Sequence, residues 1–260
     1  MNDSELIAGY LERIGLDQAP EPTPEGLRTL QINHLKHIPF ENLDIINGNI
    51  PLKLDVDSLY DKLVVRKRGG ICYEHNILYA HVLEVLGFSV RRMASHRPMS
   101  PCPGEFDHMF LMADFPEIDQ TWVTDVGFGY NNLAPIRFVL DEWQSDERDL
   151  LLLTQVGNDT YHLLRRTGAD VPEEEAEVMY EFNLKSHTDD EYRPQCDIFS
   201  TEPGFFTQGP MTSLDELGGR KLLTEDHFHR YDADRNETVI DVPDKETYDR
   251  ILDEEFGIVL

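Results

Sequence analysis

Cysteine is scarce in this sequence. Cys72, Cys102 and Cys196 are its three, and none has the CxxC or HxxxH companion that a structural zinc site requires. Three thiols cannot build a disulfide framework, so the chemistry they offer is that of free thiols in a reducing compartment. Long apolar runs are also missing: nothing approaches the ~18 to 20 consecutive apolar residues of a membrane span. The first twenty residues carry Asp3, Glu5, Glu12 and Asp17 where a leader peptide would be basic and then apolar. A soluble, cytoplasmic protein is the expectation, with no membrane partner. Positive charge is short as well, with 23 Lys and Arg against 50 Asp and Glu and a formal net charge of -27. That balance excludes a nucleic-acid binder, whose affinity rests on neutralising phosphates. There is no internal repeat and no low-complexity linker.

The remaining basic residues are unevenly spread. Between residues 61 and 100 there are seven of them (Lys62, Arg66, Lys67, Arg68, Arg91, Arg92 and Arg97) against Asp61, Glu74 and Glu84. A positive island in so acidic a chain suggests an anionic ligand nearby.

Apolar spacing divides the chain by period. Leu6, Ile7, Tyr10, Leu11 and Ile14 recur at helical spacing, and a second helix starts at the cap Thr23 with Pro24 in its first turn and stops at Pro39. Helices are also expected over residues 57 to 65 and 72 to 86, with Gly87 as the stop. After Gly87 the period falls to two. Residues 88–95, 108–114, 122–125, 136–140, 150–156 and 160–165 read as strands, Gly157-Asn158-Asp159 as a hairpin, and Glu173 to Glu177 as a solvated acidic loop. Beyond Pro203, strands over residues 211–214, 221–224 and 237–241 precede a helix over residues 245–256.

The string Arg68-Gly69-Gly70-Ile71-Cys72-Tyr73-Glu74 sets a cysteine after a double glycine and at the opening of a helix. Such a position favours thiolate and leaves backbone N–H groups, that of Tyr73 among them, where an oxyanion could be held. His108 interrupts an apolar strand, and Asp125 ends another just before a glycine turn. A buried carboxylate needs a donor, and a ring N–H of His108 is the simplest one if those strands are neighbours. Cysteine, histidine and aspartate would then form a nucleophile, a base and an orienter.

Extended to His75-Asn76, that string resembles the RGG-x-C-x-E-x-N signature of arylamine N-acetyltransferases. His37-Ile38-Pro39-Phe40-Glu41-Asn42 is similar to the family's PFEN segment, and Asp125-Val126-Gly127-Phe128-Gly129 to its DVGFG segment, with His108 in the expected order between them. The resemblance implies an α+β fold with a cysteine-protease-like core. Residues 1–87 would form a helical bundle carrying the cysteine, 88–195 a mainly antiparallel β-barrel carrying His and Asp, and 196–260 an α/β lid. It implies a ping-pong reaction in which acetyl-CoA, a co-substrate and not a bound cofactor, acetylates Cys72 and a small aromatic amine or hydrazine takes the acetyl group. No metal is implied. In that scheme Cys72, His108 and Asp125 are catalytic, and Tyr73, Arg68 and Glu74 support the oxyanion and the loop. Phe128 and Phe40 meet the acceptor, while Gly104, Glu105, Phe206 and Thr212 meet CoA. The segments Tyr130-Asn131-Asn132 and 200–206 follow the family loosely. The same three residues would also serve a thiol hydrolase or a transglutaminase-like amidase, since the triad does not fix the acyl acceptor.

Overall fold

The computed structural model describes residues 2–98, 100, 104–129, 133–168, 170–216 and 218–260. Cys102 and Tyr130-Asn131-Asn132 lie outside the described residues.

The chain opens with α1 (Asp3–Arg13), capped by the Asn2 side chain on the Glu5 N–H, and α2 (Pro24–His37), capped by Thr23 on the Gly26 N–H. A short strand β1 (Phe40–Glu41) and the single-turn α3 (Leu43–Ile46) follow. Then come α4 (Val56–Tyr60), which runs on into a π-helical turn over Asp61–Val65, and α5 (Cys72–Val85). Helix α5 is apolar on nearly every side and so is buried on nearly every side: Ile77, Leu78, Tyr79 and Ala80 are all inaccessible. It packs against α1, α4 and the strands that follow it.

Those strands are β2 (Ser89–His96), β3 (His108–Phe115), β4 (Gln120–Thr124), β5 (Ile136–Arg137), β6 (Gln144–Ser145), β7 (Leu150–Gln155), β8 (Tyr161–Arg166) and β9 (Glu177–His187). They make one antiparallel sheet in the order β5-β4-β3-β2-β9-β8-β7-β6. Irregular register at Met93/Ser95 and at Leu163/Leu164 lets the sheet curl. Its two ends meet through a side chain: Gln144 Nε2 donates to the Arg137 carbonyl and its Oε1 accepts the Arg137 N–H, both at 2.9 Å. The result is a near-closed barrel.

The last part holds α6 (Arg193–Thr201), β10 (Met211–Glu216), β11 (Gly219–Thr224), β12 (His227–Tyr231), β13 (Glu237–Asp241) and α7 (Lys245–Phe256). Strand order in its sheet is β1-β10-β11-β12-β13, so the helical part of the chain contributes the edge strand. Asn42 stitches that joint, donating to the carbonyls of Phe206 and Gly209 and accepting the Met211 N–H. An N-terminal helical region, a central near-barrel and a C-terminal α/β region are thus as the sequence implied. The pattern reading missed β1, α3, β6, β9, β12 and α6, with Glu177 of the expected acidic loop opening β9, and the expected boundary at 195/196 falls within α6. Residues 136–140 form a strand over two residues only. Among the described residues no helix is long and apolar enough to cross a membrane.

One buried chain of hydrogen bonds locks the helices together and fixes its own protons. His75 Nε2 lies 3.1 Å from the Pro39 carbonyl, which only accepts, so that nitrogen carries the proton. His75 Nδ1 therefore accepts from His34 Nε2 at 2.8 Å, and His34 Nδ1 accepts from the Tyr10 hydroxyl at 2.7 Å. Both rings are neutral. Burial holds both below the ordinary histidine value, His75 at about 4. As pH falls, the unfolded chain takes up these protons first, so the stability His75 contributes is lost between the ordinary value near 6.5 and about 4, then levels off. The loss at His75 is on the order of 2 to 3 kcal/mol. Thermal unfolding over that window should show a steeper fall in Tm for the wild type than for His75→Gln; parallel curves would contradict the assignment.

Candidate active site

Cys72 opens α5, where the first amides of a helix have no intrahelical acceptor. The loop in front of it is held by charge. Glu41 accepts from Arg68 Nε at 2.9 Å, from the Gly69 N–H at 3.3 Å and from the Leu43 N–H at 2.6 Å. Lys62 binds Glu74 at 2.7 Å and Asp44 at 2.8 Å, and Arg68 also reaches Asp44 at 3.2 Å. Glu74 in turn accepts the Ile71 N–H at 3.0 Å, at the mouth of the helix. Arg68 and Glu74 are therefore loop supports, remote from solvent. Glycine is required at position 69 because a Cβ there would collide with the Pro39 carbonyl oxygen. Removing one partner of such a buried pair leaves an uncompensated charge and costs about 3 to 5 kcal/mol.

His108 begins β3 and Asp125 follows β4, its neighbour, so the expected contact is present: His108 Nε2 lies 2.7 Å from Asp125 Oδ2. That leaves Nδ1 free of Asp125, and Cys72 is among the groups whose charge acts on the ring. Burial alone would push the imidazole down, but Asp125 and the thiol outweigh it and raise His108 to about 9. The ring thus holds its positive charge through neutral pH. All three side chains are buried. Asp125 is itself held: its Oδ1 accepts from Asn76 Nδ2 at 3.1 Å and from the Gly127 N–H at 2.9 Å. Asn76 also donates to the Met109 carbonyl at 2.8 Å and so ties the cysteine helix to both strands. Gln31 Oε1 on α2 accepts the Thr124 hydroxyl at 2.6 Å and the Asp125 N–H at 3.3 Å.

Sequence reasoning missed Asn76 and Gln31 as site residues. Their signal was a polar residue on a helix face otherwise given to the core, as Gln31 stands with Leu27, Leu30 and His34. Gly127 is a further fitted position, since a Cβ there would lie 2.7 Å from the Cys72 Cα.

The remaining expected residues are dispersed around this centre. Phe128 stands edge-on to the His108 ring, centroids 4.9 Å apart, with Tyr180 completing an aromatic wall. Phe40 stacks on His75 and packs beneath Gly129 and beside Phe206, so it backs the site from below. Tyr73 hydrogen-bonds the Phe106 carbonyl at 2.6 Å. Gly104 and Glu105 line a cleft of about 500 Å³ with His96, Glu181 and Asn183. Phe206 and Thr212 are buried, at 4% and 0% exposure, Phe206 against Phe40. The positive island is corrected by the structure. Arg91 is paired with Asp114, Arg92 with Glu84 and Asp189, Arg97 with Asp107 and Arg66 with Asp61, in addition to the Lys62 and Arg68 network. Among the described residues, Glu41, Asp44, Asp107, Asp114 and Asp189 join the island's own Asp61, Glu74 and Glu84 in pairing six of its seven cations, all but Lys67. Cys196 is buried behind the site and its thiol is pushed up by burial. Among the described residues no cluster of His, Cys, Asp or Glu could hold a metal.

A helix-borne cysteine, an imidazole and a carboxylate arranged across a helical bundle and a barrel define a thiol acyltransferase or thiol hydrolase architecture. Comparison with known proteins narrows this. The family model described as N-acetyltransferase matches residues 23–260. The arylamine N-acetyltransferase of Mycolicibacterium smegmatis is 36% identical over 210 residues, 76% of this chain and 72% of that protein. The solved arylamine N-acetyltransferase of Salmonella typhimurium superposes with a TM-score of 0.88 at 29% identity, over 97% of this chain and 91% of that one. The Mycobacterium marinum enzyme, solved in complex with CoA, superposes with a TM-score of 0.86 at 31% identity, covering 97% and 92%. The chain belongs to the arylamine N-acetyltransferase family.

Proposed function

We propose that this enzyme moves an acetyl group from acetyl-CoA to a small aromatic amine or hydrazine through a thioester on Cys72. The observation that carries the reading is that Cys72, at the N-terminus of α5, acts on the buried His108 ring, whose Nε2 lies 2.7 Å from Asp125 Oδ2. Cys72 sulfur attacks the thioester carbonyl, and the amides at the helix opening, that of Tyr73 included, stabilise the oxyanion. Collapse of this adduct expels the CoA thiolate, which takes the proton from His108. The acceptor amine then attacks the acetyl-cysteine, gives its proton to the ring and returns the thiolate–imidazolium pair. Asp125 holds the ring and its charge throughout. Phe128 beside His108 gives the acceptor ring an aromatic face. Gly104 and Glu105 flank the path of CoA. The relative solved with CoA and the matching family model support acetyl-CoA as the donor, and free-thiol chemistry suits a reducing cytoplasm.

Product analysis tests this. With acetyl-CoA and an arylamine such as an aminobenzoate, N-acetylated amine is expected to form in step with free CoA. Free acetate with unmodified amine would mean a hydrolase.

The net charge gives a second expectation. At -27 the protein repels the polyanionic donor, and the basic residues near the site are neutralised by their partners. Added salt screens that repulsion over about 8 to 10 Å at 0.1 to 0.15 M. The second-order rate of Cys72 acetylation at low acetyl-CoA should rise severalfold with moderate salt. Stopped-flow measurements across a salt series check it, and a rate that falls from the lowest salt upward would show local attraction.

A further inference from the structure

Phe128 is a half-buried aromatic beside the His108 ring, and its direction is set by the segment that carries it, residues 125–129. The front of that segment is tied to the cysteine helix and to itself: Asn76 Oδ1 accepts the Val126 N–H at 3.3 Å, and Asp125 Oδ1 accepts the Gly127 N–H at 2.9 Å. Its back is tied to a different part of the molecule. The Gly129 carbonyl accepts the Ser213 hydroxyl at 3.0 Å, and Ser213 stands on β10 of the α/β region, 84 residues along the chain.

The sheet does not need that bond. Strand β10 is already fixed at this point by its backbone, with Ser213 opposite Phe40 of β1 on one side and Leu222 of β11 on the other. Ser213 is 3% exposed, and a buried hydroxyl is costly unless it is bonded, so a position that needed only bulk would be served by alanine. What the hydroxyl adds is a constraint on Gly129. That residue has a φ of +75°, and a Cβ on it would lie 3.0 Å from the Phe40 ring, so only glycine fits the place. Glycine adopts such a conformation at no steric cost but does not enforce it, because many others are equally open to it. The bond from Ser213 supplies the missing restraint.

We propose that Ser213 is a positioning residue for the aromatic acceptor: by holding the Gly129 carbonyl it fixes the turn that presents the Phe128 ring beside His108, and so sets the preference for an amine carried on a ring. The proposal rests on the reading of Phe128 as the acceptor's aromatic face. It makes a prediction that a merely structural bond does not. Loosened packing slows all acceptors alike, whereas an anchor that acts through Phe128 matters to an acceptor that stacks on that ring and not to one that has no ring.

The test measures kcat/KM for two acceptors, aniline and hydrazine, with the full chain and saturating acetyl-CoA, and compares their ratio between variants. Ser213→Ala should lower the aniline-to-hydrazine ratio about 3- to 10-fold, the range that one net hydrogen bond supplies. Ser213→Thr, which keeps the hydroxyl and suits a strand, should hold the ratio near that of the wild type. A ratio unchanged in Ser213→Ala, whether both acceptors are slowed alike or neither is, would overturn the proposal. A ratio lowered equally in Ser213→Thr would assign the effect to packing and overturn it too. Phe128→Leu separates the anchor from the reading beneath it. A ratio that falls in Phe128→Leu but not in Ser213→Ala sinks the anchor alone, and one that does not fall in Phe128→Leu sinks the aromatic face and this proposal with it.

Discussion

Cys72→Ala and Cys72→Ser are expected to abolish acetyl transfer, with losses of at least about 10⁴-fold. The sulfur forms the covalent intermediate, and knocking out the nucleophile of such a group costs nearly as much as removing the whole group. Serine does not rescue it, because a hydroxyl beside His108 is far less ionised than a thiol. Cys196→Ala should leave turnover close to wild type: that thiol is buried, and burial holds it neutral and unreactive. Iodoacetamide labelling of the native protein provides the check beside steady-state assays. Preferential labelling of Cys196, with Cys72 inert, would sink the assignment.

Asp125→Asn should leave a folded protein with turnover reduced by about 10³- to 10⁴-fold. The carboxylate accepts from His108, Asn76 and the Gly127 N–H, and an amide can satisfy only part of that set. Its negative charge is also what outweighs burial and holds His108 at about 9. Without it, burial wins and the ring loses its proton at lower pH. The wild-type rate should therefore decline on the basic side near 9, and Asp125→Asn should move that decline toward or below neutrality. Single-turnover acetylation across pH measures both. Near wild-type acetylation with an unmoved basic limb would show Asp125 to be structural.

How much of this was legible in the sequence depends on how local the signal was. Cys72 could be read because the glycines and the helix opening adjoin it in the chain. His108 and Asp125 could be read because each is a polar group set in an apolar strand, which demands a partner. Gln31 could not be paired with Asp125 from the sequence, because 94 residues separate them and α2 gives no sign of which strand it covers. The positive island was misread for the same reason. Counting charges along the chain misses Glu41, Asp107, Asp114 and Asp189, which the fold brings onto those arginines. Strand β9 was hidden behind the acidic run before it, and β1 is two residues long, too short for any periodicity.

The account turns on whether the acetyl group rests on Cys72. Intact-protein mass spectrometry of the chain mixed with acetyl-CoA alone, followed by peptide mapping, tests that directly. One acetyl group per chain, mapped to the peptide containing Cys72 and discharged when an arylamine is added, is the predicted result. An enzyme that turns over yet carries no acetyl group, or carries it on another residue, would contradict it.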